Sequence, residues 1–139
     1  MLDFTPLDNG FALEMDTDLG NVDLCVERIR LFLEERGSHE DLFAVALLAR
    51  EALNNAMIHG NGLDPSRMVF FRLSAEDGGY DLDVEDQGQG FDWRSRLQAR
   101  SSVDDVRGRG HEIYRNFARA VRYNDRGNAV RLEYRGNRC

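Results

Sequence analysis

Neither disulfide chemistry nor a bilayer is written into this sequence. Only two cysteines occur, Cys25 and Cys139. They offer neither a disulfide framework nor the paired spacing of a metal site, so both are expected to be reduced and structural. No apolar run approaches the ~20 residues that a membrane-spanning helix requires. The start, Met1-Leu2-Asp3-Phe4, lacks the basic region and apolar stretch of a secretory signal, and a cytoplasmic protein without membrane contact is the expectation. Positive charge is in short supply too: 18 Lys and Arg against 25 Asp and Glu leave a formal net charge of -7. That balance argues against nucleic acid as a direct partner, because affinity for it rests on neutralising phosphates with clustered cations. Repeats, linkers and low-complexity segments are absent as well, which excludes solenoids and arrays.

What is present suits one globular unit. With 42% hydrophobic and 31% charged residues over 139 positions, the chain is long enough for a real core and short for two, so a single domain spanning 1–139 is expected. Phe11-Ala12-Leu13-Glu14-Met15 alternates with period two and predicts a strand with Phe11, Leu13 and Met15 on one face. From about Asn21 to Glu35, Val22, Val26, Ile29 and Leu33 recur at helical spacing, and Gly37 stops that helix. Leu24 and Leu31, seven residues apart on its polar side, mark either a partner or dimer surface or two stray exposed leucines.

Ser38 followed by Asp41 predicts a capping box for a second helix reaching about His59. Leu42, Ala46, Ala49, Leu53 and Ala56 line one side of it, with Leu47, Leu48 and Ile58 opposite, a pattern that predicts burial nearly all round. His59 is expected to cap carbonyls at its end. Val69 to Ser74 and Tyr80 to Val84 alternate around Glu76-Asp77-Gly78-Gly79, a hairpin signal. Asp92 to Arg107 has no clean period and reads as a mobile loop, in which Trp93 serves packing. Arg94, Arg96, Arg100, Arg107 and Arg109 gather there and just beyond, either as solvated residues or as a positive collar for a small anion. Gly108-Arg109-Gly110 leads into a helix with Ile113, Phe117 and Ala120 inward, and strands follow around Val121-Arg122-Tyr123 and Ala129 to Tyr134. The order predicts an α+β fold, a two-layer α/β sandwich with helices on one face of a mostly antiparallel sheet.

Three places carry chemistry. Glu51 and Asn55 stand four residues apart and share a helix face that is otherwise apolar, where an unpartnered carboxylate or amide costs several kcal/mol. A cation with its phosphates would satisfy them, Asn55 offering an oxygen to Mg2+ and Glu51 acting as a base toward a hydroxyl or water; a solvated helix end is the plainer alternative. Asp86 falls on the core-facing side of its strand with Tyr80, Leu82 and Val84. At the mouth of a glycine-rich turn, it suits the exocyclic amine of adenine, which needs an acceptor, with Gly88 and Gly90 permitting close backbone approach. Gly108 and Gly110 at a helix start suit phosphate, through free amides and the positive dipole end, with Arg107 and Arg109 beside them.

Taken in order, these elements resemble the GHKL superfamily of gyrase, histidine kinases and MutL. Glu51-Ala52-Leu53-Asn54-Asn55-Ala56 looks like the N box, Asp86-Gln87-Gly88-Gln89-Gly90 like the G1 box and Gly108-Arg109-Gly110 like the G2 box, with Asp92 to Arg107 as the ATP lid. Glu51 to Gly60 (EALNNAMIHG), the short lid and the absence of further domains are most similar to the anti-sigma-factor serine kinases. The resemblance implies the Bergerat ATP-binding fold, ATP and Mg2+ as cofactors, and Glu51 as general base. It implies Asn55 as the Mg2+ ligand, Asp86 as the adenine contact, and Gly88, Gly90, Gly108 and Gly110 as positions shaping the nucleotide site. It implies phosphorylation of an anti-anti-sigma (STAS-type) protein, sequestration of a sigma factor, and a homodimer. His111-Glu112 departs from the aliphatic residue usual after the second glycine pair, and His111 itself reads as a solvated helix-start residue.

Overall fold

The computed structural model describes residues 2–90 and 108–136, with side chains of the second stretch from residue 112. The expected mobile loop from Asp92 to Arg107, including Trp93, Arg94, Arg96, Arg100 and Arg107, lies outside the described residues, as does Cys139. Strands β1 (Leu2–Leu7) and β2 (Gly10–Asp16) precede helix α1 (Gly20–Glu35); helix α2 (Leu42–Asn54) continues into a π-helical turn (Asn55–Gly60). Then come β3 (Met68–Glu76), β4 (Gly79–Asp86), α3 (Gly108–Phe117), β5 (Ala120–Tyr123) and β6 (Ala129–Tyr134). The sheet has the order β1-β2-β3-β4-β6-β5, every neighbouring pair antiparallel. This is the α+β architecture the sequence predicts.

Alternation sets the core. Phe11 stands opposite Leu73, Leu73 opposite Leu82 and Leu82 opposite Leu132, while Leu13, Phe71 and Val84 form the adjoining row. These seven side chains are all buried. Against them α1 lays Val22, Cys25, Ile29 and Leu33, and α2 lays Val45, Leu48, Ala49, Ala52 and Leu53. Each large side chain so removed from water contributes roughly 1.5–3 kcal/mol before entropy is charged against it. The two leucines on the polar side of α1 remain outside, Leu24 at 54% and Leu31 at 44% exposure. Gly37, at φ 71°, closes α1: its own N–H donates to the Glu34 carbonyl and the Ser38 N–H to that of Leu33, a Schellman arrangement that only a left-handed residue permits.

Four expectations need correction. The capping box does not form: Ser38 makes no side-chain cap bond and sits at φ -109°, ψ 34°, outside the extended region that an N-cap hydroxyl needs. Its backbone is already committed to closing α1. Asp41 instead accepts a 2.7 Å hydrogen bond from the Tyr134 hydroxyl, pinning the start of α2 to the last strand. Nor is α2 buried all round. With one sheet and one helical layer its outer side meets water, leaving Phe43 at 72% and Ile58 at 39% exposure. In α3 Ile113 and Phe117 do pack against the core, but Ala120 belongs to β5 and the most deeply buried of the described α3 side chains is Tyr114, which the sequence reading did not place inward. Finally, β1 has no counterpart in the sequence reading. Pro6 cannot donate to a ladder and is tolerated there because β1 is an edge strand, paired only with β2, where Pro6 stands opposite Phe11.

Candidate functional site

The last turn of α2 is wider than an α-helix. The Asn61 N–H reaches back to the Ala56 carbonyl at 2.7 Å, a bond over five residues of the kind that marks functional positions in many helices. Asn61, 1% exposed, then locks the exit. Its Nδ2 donates to the Thr17 hydroxyl (2.9 Å) and the Met68 carbonyl (3.0 Å), while its Oδ1 accepts from the Gln87 N–H at 2.8 Å. One amide thereby joins the end of α2 to the starts of α1 and β3 and the end of β4.

Across this junction sits Asp86, 8% exposed at the last position of β4. Its Oδ1 accepts from the Gly88 N–H at 2.8 Å. The carboxylate lies so close to Gly60 that a Cβ there would stand 2.1 Å from Oδ2 and 2.4 Å from Cγ. Gly88 in turn abuts Gly60, so that a Cβ on Gly88 would meet the Gly60 carbonyl oxygen at 2.0 Å, and Gly90, at φ 84°, leaves so little room that a Cβ on it would meet the Arg126 carbonyl oxygen at 1.9 Å. Both glycines therefore serve contact with protein backbone, whatever they do for a ligand.

Asn55, His59, Gly60, Asp86 and Gly90 line one cavity, walled further by Ala52, Tyr114, Tyr123 and Asn128. The structure thus brings the helix amide and the strand-end carboxylate of the sequence reading to one place. Asn55 turns its Nδ2 toward the Tyr114 hydroxyl at 3.4 Å, which sends its oxygen the other way. Glu51 is half-buried one turn earlier and does not line this cavity among the described residues. Burial raises its carboxyl above the ordinary carboxylate range, since desolvation disfavours the charged form. Gly108, Arg109 and Gly110 form the first turn of α3; the Arg109 and His111 side chains lie outside the described atoms. A cluster of three or more His, Cys, Asp or Glu that would hold a metal is absent among the described residues. A cation here would rest on Asn55 and on oxygens brought by the ligand, a donor set that suits Mg2+, which takes few protein ligands.

A larger hollow, about 630 Å³, lies on the open face of the sheet. There Arg131 makes bonds of 2.7 and 3.1 Å to the two carboxylate oxygens of Asp83. Size favours that face and chemistry the smaller cavity, where buried polar groups converge. Sequence reasoning missed Gly60, Tyr114, Tyr123 and Asn128 as parts of this site. Only Gly60, in the run Glu51 to Gly60, carried a signal; Tyr114 reaches the cavity through the packing of α3 on α2, and Tyr123 and Asn128 through the last hairpin beside β4, none of which a local pattern announces.

A helix amide, a strand-end carboxylate and glycine contacts thus meet at one cavity of an antiparallel α+β frame. The model of the histidine kinase-like ATPase domain matches residues 16–134, and the chain belongs to that family. One curated relative, the anti-sigma F factor of Geobacillus thermodenitrificans (strain NG80-2), is 38% identical over 52 residues, 37% of this chain and 36% of the relative. The chain therefore spans only about a third of that relative's length in the match.

Proposed function

We propose that this chain is an ATP-binding serine/threonine protein kinase of the anti-sigma-factor type, phosphorylating an anti-anti-sigma (STAS-type) protein and, as a homodimer, sequestering a sigma factor. The observation that carries the proposal is the buried Asp86 carboxylate facing the same cavity as Asn55. Asp86 accepts a hydrogen bond from the exocyclic amine of adenine, a charge-assisted contact in a dry setting. Asn55 would hold Mg2+ through its amide oxygen, and the metal would supply charge neutralisation at the phosphates. Glu51, with its raised pKa, takes the proton of the attacking serine or threonine hydroxyl as its oxygen bonds to the γ-phosphorus and the bond to ADP breaks. Gly108 and Gly110, in the first turn of α3, present backbone amides to the phosphates, with Arg107 and Arg109 adding charge. The relative's name, anti-sigma F factor, supports the partner class.

The position of Glu51 outside the cavity lining supports a second reading, a nucleotide sensor that binds ATP and transfers nothing. Purified chain, labelled ATP and a candidate antagonist separate the two. Asp86→Asn should weaken ATP by about 1–3 kcal/mol; unchanged affinity removes the adenine assignment. Glu51→Ala should retain binding and lose transfer, and label on the antagonist with that variant rules Glu51 out as the base. Binding with no transfer by the unmodified chain leaves the sensor.

A further inference from the structure

The ladder between β4 and β6 ends with Glu85 opposite Ala129, so Asp86 and Asn128 form the next rung. Two residues directly opposed at a hydrogen-bonded rung exchange both N–H···O bonds. Here only one is a backbone bond: the Asp86 N–H donates to the Asn128 carbonyl at 2.9 Å. The Asn128 N–H is diverted to Asn124 Oδ1 at 3.0 Å by the turn that closes the last hairpin. The Asn128 side chain takes its place, Nδ2 donating to the Asp86 carbonyl at 2.8 Å. Its other end is held as well, Oδ1 accepting from Asn124 Nδ2 at 2.7 Å. Asn124 is fixed by donors from the same turn, the Gly127 N–H at 2.7 Å among them.

We infer that Asn128, held by Asn124, is a positioning residue that completes the last rung of the sheet and thereby sets the direction of the Asp86 carboxylate toward a purine. Both residues are buried, at 9% and 8% exposure, so the rung is closed to competing water and a missing donor leaves the Asp86 carbonyl without its partner. With β4 gripped on both peptide groups of Asp86, the side chain has one backbone frame from which to reach the cavity. The inference rests on the adenine role proposed above for Asp86. Its consequence is selectivity: Asn128 governs recognition of the exocyclic amine and leaves affinity for the triphosphate untouched.

The test measures dissociation constants of the full chain for ATP and for purine riboside triphosphate, which lacks the amine. Asn128→Asp, which sets an acceptor against the Asp86 carbonyl, should weaken ATP about tenfold or more, in the range of a lost buried hydrogen bond, with little change for the amine-free nucleotide. Asn128→Ser retains a donor and should fall between. In an Asp86→Asn background the further loss from Asn128→Asp should vanish, as coupling through one residue requires. Should Asn128→Asp fail to fold by near-ultraviolet circular dichroism, Asn128→Ser and Asn124→Ala carry the same comparison. Equal losses for both nucleotides, or an undiminished loss in the Asp86→Asn background, overturn the inference. If the unmodified chain does not distinguish the two nucleotides, the adenine assignment itself fails and the inference with it. If it does, and the Asn128 and Asn124 variants distinguish them equally well, the inference alone fails.

Discussion

Burial holds the Glu51 carboxyl protonated to a higher pH than in the unfolded chain, and the sign of its linkage follows. Where the folded state binds the proton more tightly, stability falls as pH rises through the interval just above the ordinary carboxylate value. Glu51→Gln, always neutral, should therefore melt higher than the unmodified protein at neutral pH, by on the order of 1–2 °C, with the difference closing toward pH 4. Thermal melts of both across pH 4–8 check this, and a difference independent of pH contradicts it. Such a cost suits a residue kept for chemistry rather than stability. Gly60 is constrained from the other side. A Cβ there would overlap Asp86 Oδ2 at 2.1 Å, and Asp86 is too short and too enclosed to yield. Gly60→Ala should weaken ATP by about as much as Asp86→Asn, 1–3 kcal/mol; calorimetric titration that finds unaltered affinity in a folded variant removes the link. Asn55 and Asp86, which meet at the cavity, were readable from the sequence because helical and strand periodicity assign each a face, whereas Glu51, read together with Asn55, does not line it. Gly60 was readable only as a helix stop, because its partner Asp86 lies 26 positions away.

The elements differ in how openly they announce themselves. α1 declares both its stripe and its glycine stop, and the β3–β4 turn declares itself through Gly78 at φ 77°. β1 is hidden by Pro6, and the π-helical turn from Asn55 to Gly60 is hidden by its continuity with α2, since the same residues would continue an α-helix. What selects the wider turn is its exit. Asn61 satisfies Thr17, Met68 and Gln87 only from this position, and those contacts come from three other elements. Asn61→Ala should destabilise the fold by about 1–2 kcal/mol, because it leaves the part-buried Gln87 N–H and Met68 carbonyl short of this partner. Urea denaturation monitored by circular dichroism measures it, and a loss under about 0.5 kcal/mol, the scale of an ordinary surface substitution, contradicts the role. Asn61→Asp, which retains the acceptor for Gln87, should fall between the two.

For the whole molecule, the single helical layer leaves much of the outer face of the sheet to water, with Arg122 paired to Glu133 at 3.0 Å and Arg131 to Asp83 at 2.7 Å. The cavity joins the end of α2 to β4 and the β5–β6 hairpin, so a ligand there bridges segments far apart in the chain. ATP with Mg2+ at about a hundred times its dissociation constant should stabilise the fold by about 2.7 kcal/mol, read as a rise in Tm that grows with nucleotide concentration; Asp86→Asn should shift that curve to higher concentration. An unmoved Tm would argue against nucleotide binding altogether. By itself the amino-acid sequence determined the class of fold and the faces of its main elements, because periodicity and turn residues act over a few positions and are printed locally. The strand order, the free outer side of α2, the loss of the Ser38 capping box and the presence of Gly60, Tyr114, Tyr123 and Asn128 at the cavity were decided only by tertiary structure. Each depends on which distant backbone arrives opposite, and close approach between remote segments leaves no mark in the local pattern.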